Sequence, residues 1–335
     1  MVTGAAGVAS RGLRAELSSN AEAVNLKLQQ VGEQISSGLV STTYAGLGGG
    51  ALTSLDLRPQ LAHNDALSNG ITAATAQMGV TQAVMTQIGA LAQGVFTNLT
   101  ANTGNGTGAI GIDAIASQAR DAFNGIVALL NTRGGDSYIF AGQDSANPPV
   151  GSTAGFVAGV TSAVQSLGTA GTPLAATEAA SLGASTATVF SSAPGQSTPQ
   201  SVQTGQGAPA AYGVSAGTPY MRQMMQSLAT IGALTTAQTK AAGYPSFVQD
   251  ALRQLGSAST ALTADQGTLG ERQTALTATQ TAFVSTRISL ATQLSSVEDA
   301  DVAALATTQS LLQTQLQTSY KLIANMQNLS LVSYL

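Results

Sequence analysis

Residues 17–35 read LSSNAEAVNLKLQQVGEQI, and this stretch decides the fold because its apolar residues recur at coiled-coil spacing. The spacing alternates between four and three residues through Leu17, Ala21, Val24, Leu28, Val31 and Ile35. A helix with this pattern has an apolar seam along one side, which is stable in water only when a second helix covers it. Residues 17–35 therefore predict one half of a helical pair. The seam ends at Ser36, Ser37 and Gly38.

The other half of the pair is predicted at the opposite end of the chain. A final helix is expected from near Val302, with apolar residues on two faces. One face has Leu305, Leu312, Leu316, Ile323 and Met326, and the other has Leu311, Leu322 and Leu329. A helix that is apolar on two faces needs burial on two sides. Because the chain has few charges, we predict that a neighbouring subunit covers the second side.

We predict that the terminal helices supply the coiled coil and the subunit interface. The residues assigned to them are Leu17, Val24, Leu28, Val31, Ile35, Leu311, Leu312, Leu316, Leu322, Ile323, Met326 and Leu329. For the N-terminal seam, intramolecular core and subunit contact are equally compatible with the pattern. For Leu311, Leu322 and Leu329 the pattern favours subunit contact, because the opposite stripe already supplies a core face.

Further heptad patterns predict a helical bundle between these ends. One helical segment covers residues 71–99 and ends in turn-forming residues 102–108, and another covers Ile112–Leu130. Helical patterning returns at Tyr220 and continues after Phe247 in a long apolar series. The predicted fold class is therefore mainly α, with a coiled coil and bundle formed by pairing of the N- and C-terminal segments.

Residues 143–219 differ in composition from the rest of the chain. Asp144 and Glu178 are the only charged residues there, and Gly, Ala, Ser, Thr and Pro dominate. Such a composition is typical of a disordered linker, but disorder usually accompanies high net charge. Short apolar groups at 156–157 and 188–190 permit β-strands. We therefore expect a small β-containing central insertion.

The composition argues against several classes of function. Only 8% of residues are charged and the sequence pI is about 4.9, so no basic face for a nucleic-acid partner is expected. The chain has no Cys and one His, which argues against disulfides, thiolate metal sites and multi-His metal centres. The sequence contains no uncharged apolar run of 18 or more residues, so no membrane-spanning helix is predicted. Residues 1–18 do not read as a secretory signal, so export by another route is expected. No cofactor is predicted.

Two candidate catalytic or nucleotide sites are weak. His63 lies close to Asp65, and such a pair is a possible general base, but no nucleophile accompanies it at a recognisable spacing. We expect His63 to be a surface or interfacial polar residue. The glycines at 46–50 lack the Lys-Ser or Lys-Thr and the preceding strand of a phosphate loop. They predict a bend or a thin packing site.

Glu298, Asp299 and Asp301 form an acidic cluster just before the final predicted helix. A calcium loop would need acids that alternate around a Gly turn, which this segment lacks. The helix dipole favours negative charge at a helix N-terminus. All three acids are therefore predicted to lie at the start of the final helix.

Four short stretches, in order along the chain, carry a resemblance to a known family. Residues 30–39 read QVGEQISSGL, and residues 130–142 read LNTRGGDSYIFAG. Residues 295–301 read SSVEDAD, and residues 329–335 read LSLVSYL. Together they resemble the bacterial flagellin and hook-associated protein family. The second and fourth stretches are most similar to hook–filament junction proteins, and the fourth also resembles some filament flagellins.

One departure from the family pattern follows the Ser-Ser-Gly segment. Family members commonly carry paired aspartates there, whereas residues 41–48 read STTYAGLG. The contact made by those aspartates therefore cannot be transferred to this chain. The rest of the resemblance implies an elongated fold, with terminal helices that line the inside of a tube and an outward-facing insertion.

The pattern and the resemblance together predict five segments. They are an N-terminal coiled-coil segment of the inner tube at 1–43, the first half of the bundle at 44–143, the variable insertion at 144–219, the second half of the bundle at 220–294 and a C-terminal coiled-coil segment at 295–335. The resemblance also implies unfolded export through the flagellar type III apparatus to an extracellular flagellum. The implied partners are copies of the chain, hook-associated and cap proteins, and an export chaperone.

The leading functional hypothesis is a non-enzymatic, self-assembling filament subunit, with a hook–filament junction protein as the alternative. A coiled-coil surface or phage-tail protein fits less well, because such proteins have heptads in one long block rather than at both termini. An enzyme displayed on the filament would need its site in residues 144–219. That segment has no His, Cys, Lys or Arg, so most acid–base and nucleophilic mechanisms lack their groups.

Overall fold

The computed structural model describes residues 3–104, 111–165, 198–205, 207–241 and 243–332. In chain order the elements are α1 (Thr3–Ser37), a 3-10 helix (Tyr44–Gly50), α2 (Ala51–Gly104), α3 (Ile112–Leu130), β1 (Arg133–Gly134), β2 (Ser137–Tyr138), α4 (Ala154–Gln165), β3 (Ser201–Val202), β4 (Ala210–Ala211), α5 (Pro219–Gly232), a second 3-10 helix (Gln238–Lys240), α6 (Tyr244–Glu298) and α7 (Val302–Val332). The prediction of a mainly α fold with a small β component is confirmed.

The chain forms two compact units. The first contains Met1–Asp65 and Ser285–Leu335, and the second contains Ala66–Val284. In each unit, a segment from the N-terminal half packs with a segment from the C-terminal half, as the paired apolar seams predict. The boundaries of the five segments proposed from the sequence stay predictions.

In the first unit, α1 packs along α7 as an antiparallel pair. Val24, Val31 and Leu312 form a small buried cluster. Half-buried aliphatic side chains from both helices extend this cluster, namely Leu28, Ile35, Leu305 and Leu316. The heptad pattern that opens at Leu17 thus meets its partner inside the same chain, because each helix alone would leave its seam in water.

The second unit is a bundle built on α2 and α6. α2 contributes a row of fully buried residues at seven-residue spacing, Ile71, Met78, Met85, Ala92 and Leu99. α6 contributes Leu255, Leu262, Leu269 and Leu276 at the same spacing. Gly89 lies against Leu262 and Gly256 lies against Phe96, so the two helices run antiparallel.

α3 and α5 complete the core of the second unit. α3 covers Ile112–Leu130, as its pattern predicts, and buries the face that carries Ile112, Ile115, Ala116, Ala119, Ala122, Phe123, Ile126 and Leu130. Arg120 Nη1 donates a hydrogen bond to the carbonyl of Gly232 at 2.6 Å. The Asp113 carboxylate accepts hydrogen bonds from the backbone N and the hydroxyl of Thr236, at 3.1 and 2.6 Å. These polar contacts hold α3 against the end of α5.

The described part of the insertion is only partly β-structured. Residues 156–157, predicted to permit a strand, lie in α4, where Phe156, Val160 and Val164 are buried at helical spacing. Phe156 stacks on Phe123 of α3 with ring centroids 6.0 Å apart. The strand prediction was wrong here, because Ala154–Gln165 forms a helix whose buried side chains, spaced by four residues, pack against α3 and α5. Residues 188–190 lie outside the described residues.

Two short hairpins supply the β component. β1 pairs with β2, with Arg133 opposite Tyr138, and the guanidinium of Arg133 lies 5.0 Å from the Tyr138 ring centroid. β3 pairs with β4, with Ser201 opposite Ala211. The β1–β2 hairpin leads directly into Ile139 and Phe140, which are buried in the core of the second unit. The aromatic motif of residues 130–142 therefore anchors the base of the insertion.

Candidate assembly interface

The terminal helices divide the predicted interface residues between two faces. On α1, Val24 and Val31 are buried in the seam, and Leu17, Leu28 and Ile35 are half-buried. On α7, Leu312 is buried, and Leu316 and Ile323 are half-buried. This face is an intramolecular coiled coil within one chain. Any subunit contact through it would have to use the edges of the seam.

The second face of α7 is exposed. Leu311 and Leu322 are 67% and 49% exposed, although both are large aliphatic side chains. Each one immediately precedes a seam residue, so it lies about 100° around the helix from the seam. Lys321 is the only charged residue within Val302–Val332. The side chains of Met326 and Leu329, and residues 333–335, lie outside the described part of the chain.

A joint connects the end of α1 to the segment between α6 and α7. The backbone N of Val40 donates to the Glu298 carbonyl at 2.7 Å, and the N of Ala300 donates to the Gly38 carbonyl at 2.9 Å. Leu39 and Asp299 form an antiparallel bridge between these bonds. Gly38 has φ +71°, a left-handed conformation that ends α1 and that glycine adopts without steric cost. The two stretches at 30–39 and 295–301 thus meet in space.

The side chain of Glu298 ties α2 into the same joint. Arg58 Nε donates to Glu298 Oε1 at 2.8 Å, and Arg58 Nη2 donates to Oε2 at 2.7 Å. Ser54 Oγ also donates to Oε1. The hydrogen bonds from Arg58 hold the pKa of the Glu298 carboxyl below its ordinary value, Ser54 acts in the same direction, and burial opposes both. Glu298 is 7% exposed, so it is a buried charge whose partners satisfy it.

Only one residue of the acidic cluster opens the last helix, which corrects the prediction that all three acids do so. Asp301 does so, because its Oδ1 accepts from the backbone N of Ala303 and of Ala304, both at 3.0 Å. Glu298 instead is the last residue of α6. Its partners on α2 are more than 200 residues away in sequence, so local patterning favours the helix-start interpretation.

The glycine cluster forms a bend, as predicted. Residues 44–50 are a 3-10 helix with a kink at Gly48, where φ is +55°. Gly50 packs against Val297, and a Cβ on Gly50 would lie 2.5 Å from Val297 Cγ1. This close approach brings the start of α2 against the end of α6.

The titratable groups of the described residues form no recognisable catalytic or metal site. His63 is exposed on α2, and its neighbour Asp65 accepts a hydrogen bond from Arg287 Nε at 2.9 Å. Within the described ranges there is no group of three or more His, Cys, Asp or Glu residues that could hold a metal ion. Burial first, and a hydrogen bond to Asp265 second, raise the pKa of the Tyr220 hydroxyl above its ordinary value. No described helix has the length and apolarity of a membrane span.

Sequence reasoning missed two features of this region. Ser54 and Arg58 have no local signal, because their partner Glu298 lies on another helix. The exposed leucines Leu52 and Leu55, in contrast, could have been noticed from the sequence. They fall outside the buried seam positions Ser54 and Leu57 and are 75% and 47% exposed.

The helical pairs, the intramolecular seam and the exposed apolar stripe define a structural helical protein with surfaces suited to association. The model of the bacterial flagellin N-terminal helical region matches residues 8–145, and that of the C-terminal helical region matches residues 252–335. The two matches together span about two thirds of the chain, which belongs to the bacterial flagellin family. It is a structural component of the bacterial flagellum, and the family assembles with its own copies and with flagellar partners.

Two solved structures share the fold. A protein from Vibrio parahaemolyticus, described as a flagellar hook-associated protein, is 9% identical, with a TM-score of 0.54 over 73% of this chain and 96% of that one. FlgL of Bacillus cereus is 11% identical, with a TM-score of 0.50 over 72% of this chain and 99% of that one. No curated protein sequence matches the chain with significance.

Proposed function

We propose that the chain is a filament subunit that polymerises through contacts of its terminal helices with neighbouring copies. The observation that carries the proposal is the exposed stripe of Leu311 and Leu322 on α7, a helix whose opposite face is already covered by α1. Burial of each leucine is worth up to about 1.5–3 kcal/mol. In a polymer this gain in free energy recurs at every subunit. Because α7 carries a single charge, electrostatic repulsion between neighbouring copies of this helix is small.

The proposal includes no enzymatic activity, because the family is structural and its helical segments serve assembly. It also includes unfolded export through the flagellar type III apparatus, an export chaperone, and contacts with cap and hook-associated proteins. Family membership supports the proposal of these partners and of this route. The seam residues at Leu17, Val24, Leu28, Val31 and Ile35 are proposed to keep α1 and α7 together within each assembled subunit.

A junction role between hook and filament is the second candidate. The observation that favours it is the motif in residues 130–142, whose Ile139 and Phe140 are buried at the base of the insertion. The two solved relatives are named as a hook-associated protein and as FlgL, and the same role is proposed for this chain as the alternative. A junction protein would use the same helices but would stop after a short ring.

Electron microscopy of the purified chain, seeded or salted in the absence of other flagellar proteins, tests the proposal. Long regular filaments support the filament role. Folded protein that forms short rings, or that adds only to hook ends, would assign the junction role instead. Folded protein that binds neither its own copies nor hook ends would contradict both.

The variant Leu322→Asp tests the interface. It removes the burial of one leucine per contact, so the critical concentration for polymerisation is expected to rise at least tenfold. Gln317→Asp is the matched control, because Gln317 is exposed on the same helix, outside both the seam and the leucine stripe. Both monomers should keep their helicity in circular dichroism. Normal filaments from Leu322→Asp at the wild-type concentration would show that Leu322 is not part of the interface.

A further inference from the structure

α2 carries a second exposed apolar face within the same compact unit as α7. Leu52 and Leu55 are 75% and 47% exposed, and Pro59 and Ala62 are also exposed. These four residues, the α2 stripe, are spaced by three, four and three residues, so they lie on one side of the helix. Ser54 on another side is fully buried. The fold therefore buries a different face of α2, and the α2 stripe remains exposed.

We propose that the α2 stripe of one subunit docks against the α7 stripe, Leu311 and Leu322, of a second copy of this chain. The inference rests on the proposed self-assembly and names the surface that receives α7. Both stripes are apolar, both belong to the first compact unit, and both lie outside its buried clusters.

The two stripes match in length and in charge. Leu52 to Ala62 spans about 15 Å of helix, and Leu311 to Leu322 spans about 16 Å. Asp56 is exposed beside the α2 stripe, and Lys321 is exposed beside the α7 stripe. Among the described residues neither has an ion-pair partner, whereas Arg58 is paired with Glu298. Docking of the two stripes provides each unpaired charge with a partner of opposite sign.

Pro59 adds a polar feature to the α2 stripe. A proline has no backbone N–H, so the carbonyl of Leu55 lacks the donor that a helix normally supplies four residues later. That acceptor lies next to the exposed leucines. A docking partner with hydrogen-bond donors at its edge, such as the Lys321 ammonium, suits this acceptor better than a purely apolar surface does.

Symmetry favours this pairing over contact of two α7 stripes with each other. An isologous contact, in which the same patch meets itself, closes after two copies. Open-ended growth needs two different, complementary surfaces on each subunit, so that every added copy leaves one of them free. The α2 and α7 stripes are such a pair.

Cysteine cross-linking tests the pairing directly, because the native chain has no cysteine. Leu55→Cys and Leu322→Cys are made as separate variants, one of them labelled with ¹⁵N, and are mixed and polymerised. Dissolved oxygen with a copper catalyst then oxidises pairs of thiols to disulfides, and oxygen takes up the two electrons. Because Asp56 is proposed to pair with Lys321, we expect mass spectrometry to find the 55–322 linkage as the main product. A disulfide forms only where the Cα atoms come within about 7 Å.

The control is a mixture of Leu55→Cys with Gln317→Cys, which should give no linkage above background. Polymers that contain only 322–322 linkages, or none, would overturn the inference and leave the proposed function intact. If the wild-type chain does not assemble, the proposed function fails, and the inference fails with it.

Charge exchange provides an independent test without cysteines. Asp56→Lys and Lys321→Asp each place like charges across the contact, and each is expected to raise the critical concentration several-fold at low salt. The double variant restores opposite charges in every contact and should return the critical concentration to the wild-type value. Singles with no effect, or a double that is merely additive, would contradict the pairing of Asp56 with Lys321.

Discussion

Replacement of Gly50 by alanine tests whether the close approach of α2 to α6 holds the joint together. A Cβ at Gly50 would meet Val297 Cγ1 at 2.5 Å, about 1 Å less than an ordinary carbon–carbon contact. Valine is β-branched and stiff at χ1 in a helix, so its methyl group cannot easily turn away. The backbone must therefore shift. We expect the overpacking to cost about 1–3 kcal/mol.

Gly49→Ala is the matched control, since nothing lies within 4 Å of a Cβ at that position. Neither glycine has a positive φ, so alanine is compatible with the backbone at both. Both variants also gain about 0.5–1 kcal/mol because alanine restricts the unfolded chain more than glycine does. The difference between the two variants thus isolates the contact with Val297.

Thermal unfolding followed by circular dichroism at 222 nm measures this difference. Gly50→Ala should unfold at a lower temperature than Gly49→Ala, by about 2–4 °C per kcal/mol. The double variant Gly50→Ala with Val297→Ala should recover part of the loss, with a coupling energy of about 1 kcal/mol or more. Equal unfolding temperatures for the two single variants, or no coupling with Val297, would refute the packing of this joint.

Two further predictions concern polar contacts. The folded-state pKa of Glu298 is lowered, so its pairing with Arg58 stabilises the fold above the unfolded pKa of about 4.3 and is lost as pH falls through the lower folded value. In an acid titration by circular dichroism, the stability advantage of wild type over Glu298→Gln should therefore shrink below about pH 4, and a constant difference would contradict it. The amide of Asn131 donates to the Val150 carbonyl at 3.0 Å and accepts from its N at 3.1 Å, so Asn131→Ala should cost about 1–3 kcal/mol in denaturant unfolding. Limited proteolysis should then cut the insertion faster than in Asn131→Gln, which retains both polar groups, and equal rates would argue against this clamp.

Periodicity predicted the helices because each long helix buries one regular face. The spacing within Ile112–Leu130 and the start near Val302 both agree with the structure. The start of α2 at Ala51 was missed, since the polar residues Ser54 and Asn64 interrupt the apolar pattern of its buried face. Ser54 is buried and binds the distant Glu298. The local sequence does not show this contact, so a serine at this position suggests a loop.

The candidate interface was predicted in part for the same reason. Apolar residues on a second face of the last helix were visible as an unexplained stripe, and the exposures of Leu311 and Leu322 agree with that interpretation. Whether a subunit covers them stays a prediction, because one chain carries no information on its neighbours. Middle residues 156–157 were misassigned because short apolar groups fit both helix and strand until a packing partner decides between them.

The joint fixes the axial position of the exposed stripe. The α1 seam is aliphatic throughout, and such a seam has no polar residue that would stop α7 from sliding by one heptad. The backbone bonds from Val40 to Glu298 and from Ala300 to Gly38 remove that freedom, since they fix the end of α1 against the start of α7. With the register fixed, Leu312 packs with Val24 and Val31, and Leu311 keeps one position along the pair. The Ser-Ser-Gly turn and the acidic segment therefore determine at what height along α1 the exposed stripe lies, and under the proposed assembly this is the height at which a neighbouring subunit would meet it.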